Sequence, residues 1–287
     1  MRHEDPSTSR RAMVVLVAGL LAITTVPLLV SSSMQAVLSR TAIVVAESGN
    51  PLLATAPRVV TLFFPMWGGL SMAAGATLLV VARPIARAEA WAQPAAVGLL
   101  AIPSITGAFL SGPTMFFARE AAPNFVAILL IGLVPYFILL LSGPGSKGEK
   151  LAKFFVFLFL GVTAAWSFSN GGSSLRMLMA RPEGQVLNAG NYGFLLGIPA
   201  VMLGVVLVIL AIPILAARKR AGRLLASSGL LTIAAGTSTF FLTHPGIMEF
   251  PVGILLAGLT LALVAIPSIG GRLVEEGTGG RSQPAPA

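Results

Sequence analysis

Eight apolar runs, each close to the ~20 residues that cross a bilayer as a helix, constrain this chain more than anything else in it. They occur at roughly 12-32, 59-82, 94-112, 124-142, 152-170, 192-216, 223-243 and 250-270. The breaks between them carry turn-forming or basic stretches: RPIAR at 83-87, SGPGSKGEK at 142-150, ARKRAGR at 217-223 and THPG at 243-246. A chain with 55% hydrophobic and only 10% charged residues has too little polar surface for a water-soluble fold. The expected fold class is all-α, a polytopic membrane helical bundle of eight transmembrane helices. Internal prolines at Pro27, Pro65, Pro103, Pro135, Pro199 and Pro213 fit such spans, because neighbouring helices re-satisfy the freed backbone groups.

The basic residues orient the spans. With the N-terminus inside, cytoplasmic segments hold 14 of the 19 lysines and arginines, and the other side keeps only Arg40, Arg58, Arg119, Arg176 and Arg181. Each cytoplasmic loop is more basic than the outside loop after it, which is the positive-inside pattern. Both termini are therefore expected in the cytoplasm. The net charge of +9 follows from topology and from anionic lipid headgroups, so no nucleic-acid partner is implied.

The chain also repeats. SSMQAVLSRTAIVVAESGN (Ser32 to Asn50) and SSLRMLMARPEGQVLNAGN (Ser173 to Asn191) both open on Ser-Ser and close on Gly-Asn. Arg40 and Arg181 sit at one offset, since 181 − 40 and 173 − 32 both equal 141. At an offset of 131, VGLLAIPSITGAF (97-109) lies over SGLLTIAAGTSTF (228-240), and at 126, ILLIGL (128-133) lies over ILLAGL (254-259). Three blocks in one order predict a parallel four-plus-four internal repeat, with any shared cavity between the two halves. The expected division is a tail at 1-11, a first four-helix repeat at 12-142, a linker at 143-151, a second repeat at 152-270 and a disordered cytoplasmic tail at 271-287. Gly68, Gly69 and Ala73, and the GxxxG of Gly193 and Gly197, supply the small residues an interface between halves needs.

Local expectations follow. SRRAMVVL resembles a twin-arginine export signal only faintly, and a retained first helix is the expectation. MQAVLSRTAIVVA (34-46) suits a helix lying along the interface, and FFPMWGG (63-69) is the best candidate for a broken helix. Trp91 and Tyr192 fall at span ends, where aromatic belts sit.

Most catalytic chemistry lacks its residues. Cysteine is absent, aspartate occurs only at Asp5, and histidine only at His3 and His244. Paired intramembrane aspartates, haem ligation and zinc centres are excluded on that ground. HExxH, GxSxG and GxxxxGK[ST] are missing too, so no metal, cofactor or nucleotide is expected. What polar chemistry remains gathers on the outer face. The candidate site comprises Arg40, Glu47, Asn50, Arg119, Glu120, Asn124, Arg181, Glu183, Asn191, His244 and Glu249. Arginines and amides at a bundle mouth suit an anionic headgroup, a carboxylate or a quinol. A lone His244 before Pro245 reads as a solvated turn residue.

Three functions are compatible, in this order. The first is a transporter or permease-like protein for a small or amphiphilic molecule, with its path between the repeats. The second is a cofactor-free membrane anchor or quinol-interacting subunit of a larger complex. The third is an outer-face lipid-modifying enzyme using His244, Glu249 or Glu120 as acid and base. Membrane lipids, and in the second reading other membrane subunits, are the expected partners. High Ala, Gly and Arg usage points to a bacterial cytoplasmic membrane.

Overall fold

A computed structural model describes residues 6–49, 53–143, 145–181 and 189–274. Among them there is no strand. The helices are α1 (Pro6–Ser48), α2 (Ala56–Ala86), α3 (Ala92–Phe117), α4 (Ala122–Leu141), α5 (Lys147–Met179), α6 (Tyr192–Ala216), α7 (Arg220–Thr243), α8 (Glu249–Ala265) and the short α9 (Pro267–Gly270). Seven are long and apolar enough to cross a membrane. An eighth span requires α8 together with its continuation Pro267–Leu273, bent by 60° from it. These are the lengths and composition of a multi-pass membrane protein.

Several boundaries differ from the apolar runs. The run expected at 250-270 breaks after Ala265, because Pro267 holds Ile266 in an extended conformation (φ −63°, ψ 123°) that cannot continue the helix. The first helix starts at Pro6, inside the expected tail at 1-11, and no breaker separates those residues from the apolar run. At its other end it runs through 34-46 without interruption, so the expected interfacial helix is the last third of α1. Ser33, Val37 and Thr41 recur every four residues and are buried, which keeps this overhang packed. With 43 residues at 1.5 Å each, α1 is about 65 Å long, roughly twice the ~30 Å hydrocarbon core. SGPGSKGEK is half helix: Ser146 caps α5 by accepting from the Glu149 amide at 3.2 Å, a Ser-x-x-Glu start. FFPMWGG lies inside the continuous α2, and every internal proline named above is likewise within an unbroken helix.

In the first four helices α1 touches α2, α3 and α4; in the last four α5 touches α6, α7 and α8. The halves join through α3, which packs on α5 and α6 with Gly98 against Pro213, and through α2 and α4 on α5. Among the described residues α7 makes no comparable packing on α1 or α2, so the two halves meet through different faces.

Glycines that were expected between the halves lie within them. Gly68 faces Val30 of α1, while Gly69 has nothing within 4 Å of where a Cβ would be. Gly193 and Gly197 let α6 meet α7: a Cβ on Gly197 would sit 2.7 Å from the Gly236 carbonyl, and one on Gly193 would strike Thr243. Without a hydrophobic drive between helices in lipid, such backbone approach supplies the dispersion contacts that hold neighbours together. α1 and α2 use the same device at Gly19 and Gly75.

The two ends of the bundle differ in charge. At one end Arg11 of α1 donates to Gln93 Oε1 (3.1 Å) and to the Ser142 carbonyl (3.0 Å). There too Glu149 pairs with Lys153 (2.9 Å) and Arg218 (3.2 Å), and Arg223 donates to the Ala265 carbonyl. The opposite end, formed by the C-termini of α1, α3, α5 and α7, carries the candidate residues.

Candidate functional site

The sequence-derived residues do not gather in one place. In the first half Arg40 Nε lies 3.0 Å from Glu120 Oε1, both side chains being more than half exposed. Asn124 of α4 donates to Ser32 of α1 at 3.3 Å. Arg119 turns back to the Met115 carbonyl (3.2 Å), and Glu47 is exposed in the last turn of α1. In the second half Arg181 Nη2 meets His244 Nε2 at 3.1 Å. The Phe194 ring sits 5.1 Å from the imidazole, which is half-buried rather than a solvated turn residue. Asn191 is buried at the start of α6. Asn50 and Glu183 lie outside the described residues. Glu120 and His244, two of the proposed acid–base groups, thus belong to separate clusters.

Among the described candidate residues only Glu249 lines the cavity that lies between the halves. A chamber of about 450 Å³ is enclosed by the N-terminal part of α2, the C-terminal part of α3, the C-terminal half of α5 and the first residue of α8. Its walls are apolar, from Val59, Val60 and Phe64 on α2 to Phe109, Phe116 and Phe117 on α3. α5 lines it from Val162 to Arg176, 14 residues or about 21 Å at the helical rise. Along that run the chemistry changes in order: Val162 and Ala165, then Trp166, then Ser169, Asn170, Ser173 and Arg176. The deep end is therefore greasy and the end toward the loops polar.

The polar end is held by hydrogen bonds from α5. Trp166 Nε1 and the buried Asn170 Nδ2 both donate to the Glu249 carbonyl, each at 3.3 Å, which ties the N-terminus of α8 to α5. Gly253 makes this possible, because a Cβ there would come within 2.5 Å of Asn170 Nδ2. Thr55, the residue before α2, donates to the Arg176 carbonyl at 2.8 Å and fastens the opposite wall. The Arg176 guanidinium interacts electrostatically with Glu249.

Beside the chamber an aromatic cluster joins the halves. Phe168 of α5 projects among Phe63 and Trp67 of α2 and Phe109 of α3, with centroids at 4.8, 5.1 and 5.0 Å and rings near perpendicular. Edge-to-face pairs of this kind contribute about 0.5–1.5 kcal/mol each beyond their buried area. Buried hydroxyl pairs, Ser71 with Thr106 (2.9 Å) and Thr163 with Thr260 (2.7 Å), fasten α2 to α3 and α5 to α8.

Arg176, Asn170, Trp166, Ser169 and Ser173 are what the residue list missed. One signal was available. At the offset of 141 the α5 residues Trp166, Phe168, Ser169, Asn170 and Arg176 fall on Thr25, Pro27, Leu28, Leu29 and Gln35 of α1. At that offset the two helices differ along most of the chamber wall and agree at Ser173, which falls on Ser32.

No family model, no curated protein and no solved structure matches this chain.

Proposed function

We propose that this protein is a transporter or permease-like protein for a small or amphiphilic molecule, with its path between the two halves. The observation that carries the reading is the chamber between α2–α3 and α5–α8, with the aromatic seam of Phe63, Trp67, Phe109 and Phe168 packed beside it. A concave, mostly apolar site with a few converging polar groups is the usual form of a small-molecule site. A cavity between two packed helical halves is where transporters built from repeats place their substrate.

The two halves are taken as copies of one four-helix unit. Supporting this, α1 and α5 begin 141 residues apart, and Ser33 and Ser174 at that offset are both fully buried with hydroxyls that bond to nothing. Arg40 and Arg181 each reach the loop between the third and fourth helices of their own half. The residues that end α3 and α7, Ala118 and His244, share an unusual backbone conformation (φ −146°, ψ 68° and φ −141°, ψ 78°). These are 126 residues apart, so the blocks paired at 131 lie about one helical turn out of step with the helix ends. The heterologous joint leaves one chamber rather than two related by symmetry. The basic end is taken as cytoplasmic, by the positive-inside rule, in a bacterial cytoplasmic membrane.

Reconstitution tests the reading. In liposomes the full chain is expected to speed transfer of a fluorescent single-chain amphiphile between leaflets, and Ala165→Trp, which fills the chamber, should abolish the gain. Transfer no faster than in protein-free liposomes, or a rate indifferent to Ala165→Trp, would sink it.

A further inference from the structure

Resting on that same path between the halves, we infer that the chamber takes a single-chain amphiphile with an anionic head. The head lies at Arg176 and Asn170, and the chain runs along α5 toward Val162. The order of side chains down α5 carries this. A guanidinium, a buried amide and serine hydroxyls stand at the loop end, and about 21 Å of helix leads from them to a wall of Ala165, Phe64 and Val162. A compact polar solute would leave the greasy half of the chamber empty. A carboxylate or phosphate accepts from guanidinium and amide N–H groups at once, which a ligand without a head cannot do.

The way in is lateral. Val162, Trp166 and Phe116 line the chamber and are large apolar side chains left exposed, at 42%, 37% and 61%. α3 and α8 share no extended packing, and α5 lies behind the gap between them. A lipid-borne chain enters there from the leaflet with its head already at the level of the loops, the orientation the polarity of α5 demands.

The charge of Glu249 gives the head its sign. Its carboxylate interacts electrostatically with Arg176 and must be displaced or repelled by an anionic head. A positively charged head would be drawn to Glu249 instead. Removing that carboxylate therefore acts in opposite directions on the two classes.

The experiment uses the full chain in phosphatidylcholine nanodiscs, with Trp91→Phe to simplify the signal. Quenching of tryptophan fluorescence by dibromostearate is the readout, and Trp166 on the chamber wall is the reporter. Saturable quenching is expected, and Trp166→Phe should remove most of it, leaving only the contribution of the buried Trp67. Arg176→Gln should weaken the apparent Kd about tenfold, the scale of a charge-assisted hydrogen bond. Glu249→Gln should tighten it about threefold, as loss of an exposed like charge does. Misfolding can mimic the first effect but not the second. Hexadecanoate and lysophosphatidylglycerol are offered as competitors. Displacement by either supports the shared chemistry and tells a free carboxylate from a lipid phosphate. Non-saturable quenching, a Kd indifferent to both substitutions, or stronger competition by hexadecyltrimethylammonium overturns the assignment. If the expected signs hold while reconstituted vesicles move no amphiphile, the transport reading falls and the binding site stands. If vesicles move it and neither substitution alters binding, the site falls and the path stands.

Discussion

α1 and α5 start 141 residues apart and share their Ser-Ser pair and their arginine, yet they do different work. α1 packs along α2 and stands far beyond the bilayer thickness. Pro27 and Val30 on it line only an apolar surface groove against Pro65 and Gly68 of α2. α5 at the same register places Phe168 among three aromatic rings of the other half and turns Asn170 and Arg176 into the chamber. What the two helices share is the frame: where each begins, which loop the arginine reaches, which serine is buried. What they do not share is Trp166, Phe168, Ser169, Asn170 and Arg176, which flank the common Ser-Ser pair on α5. Function is better sought where the two helices differ than in the residues they have in common.

The largest effect should come from breaking that set at Phe168. Phe168→Ala removes a buried ring from the joint and leaves a cavity that rigid helices close poorly. A loss of about 3–5 kcal/mol is expected, read as the shift in a denaturant unfolding curve in one detergent. Pro27→Ala, at the same register in α1, should change stability by no more than about 1 kcal/mol. Equal losses at the two positions would mean that α1 and α5 are equivalent in packing, and the asymmetry drawn here would be wrong.

A second contrast separates glycines with and without a neighbour. Gly197→Val drives a side chain into the Gly236 carbonyl and Thr239 of α7. It should destabilise by about 1–3 kcal/mol, whereas Gly69→Ala, with open space around it, should be close to neutral. The same unfolding assay ranks them. A neutral Gly197→Val would show that α6 and α7 are not held by close backbone approach.

These cases also mark what the sequence could say. Span positions were legible because the bilayer forces an apolar run of fixed length. Helix ends were not, since a helix continues past the lipid wherever packing and the absence of Gly or Pro allow, as α1 does to Ser48 and α5 to Met179. Gly68 and Gly197 were legible as seams, but nothing in either motif names the partner, and both face helices of their own half. At the site, Glu249 was legible because it follows a loop, and Arg176 stood in the right segment without being chosen. Asn170 and Trp166 were hidden inside an apolar run, where one amide in 20 residues carries no pattern. The offset comparison of α1 with α5 is the one signal that exposes them, and it needs the repeat to be recognised first.

The smallest effects test the twin arginines. Arg181 and His244 are half-buried, and Arg181 Nε and His244 Nδ1 already lack partners. Arg181→Ala then leaves the imidazole against Phe194 with neither ring nitrogen bonded, and about 1–2 kcal/mol is expected, the cost of stranding a buried polar group. Arg40 and Glu120 are each more than half exposed, so water replaces whichever partner is removed. Arg40→Ala and Glu120→Gln should leave the unfolding midpoint where it was, singly and together, and added salt should make no difference because there is nothing to screen. A double-mutant cycle run on both pairs decides the matter: coupling at Arg181–His244 with none at Arg40–Glu120 is the expected result. Coupling of similar size in the two would mean that the α1 overhang is clamped to the loop after α3 as firmly as α5 is to the loop after α7. In that event burial, the quantity in which the two ends differ, would not be what sets the strength of the repeated contact.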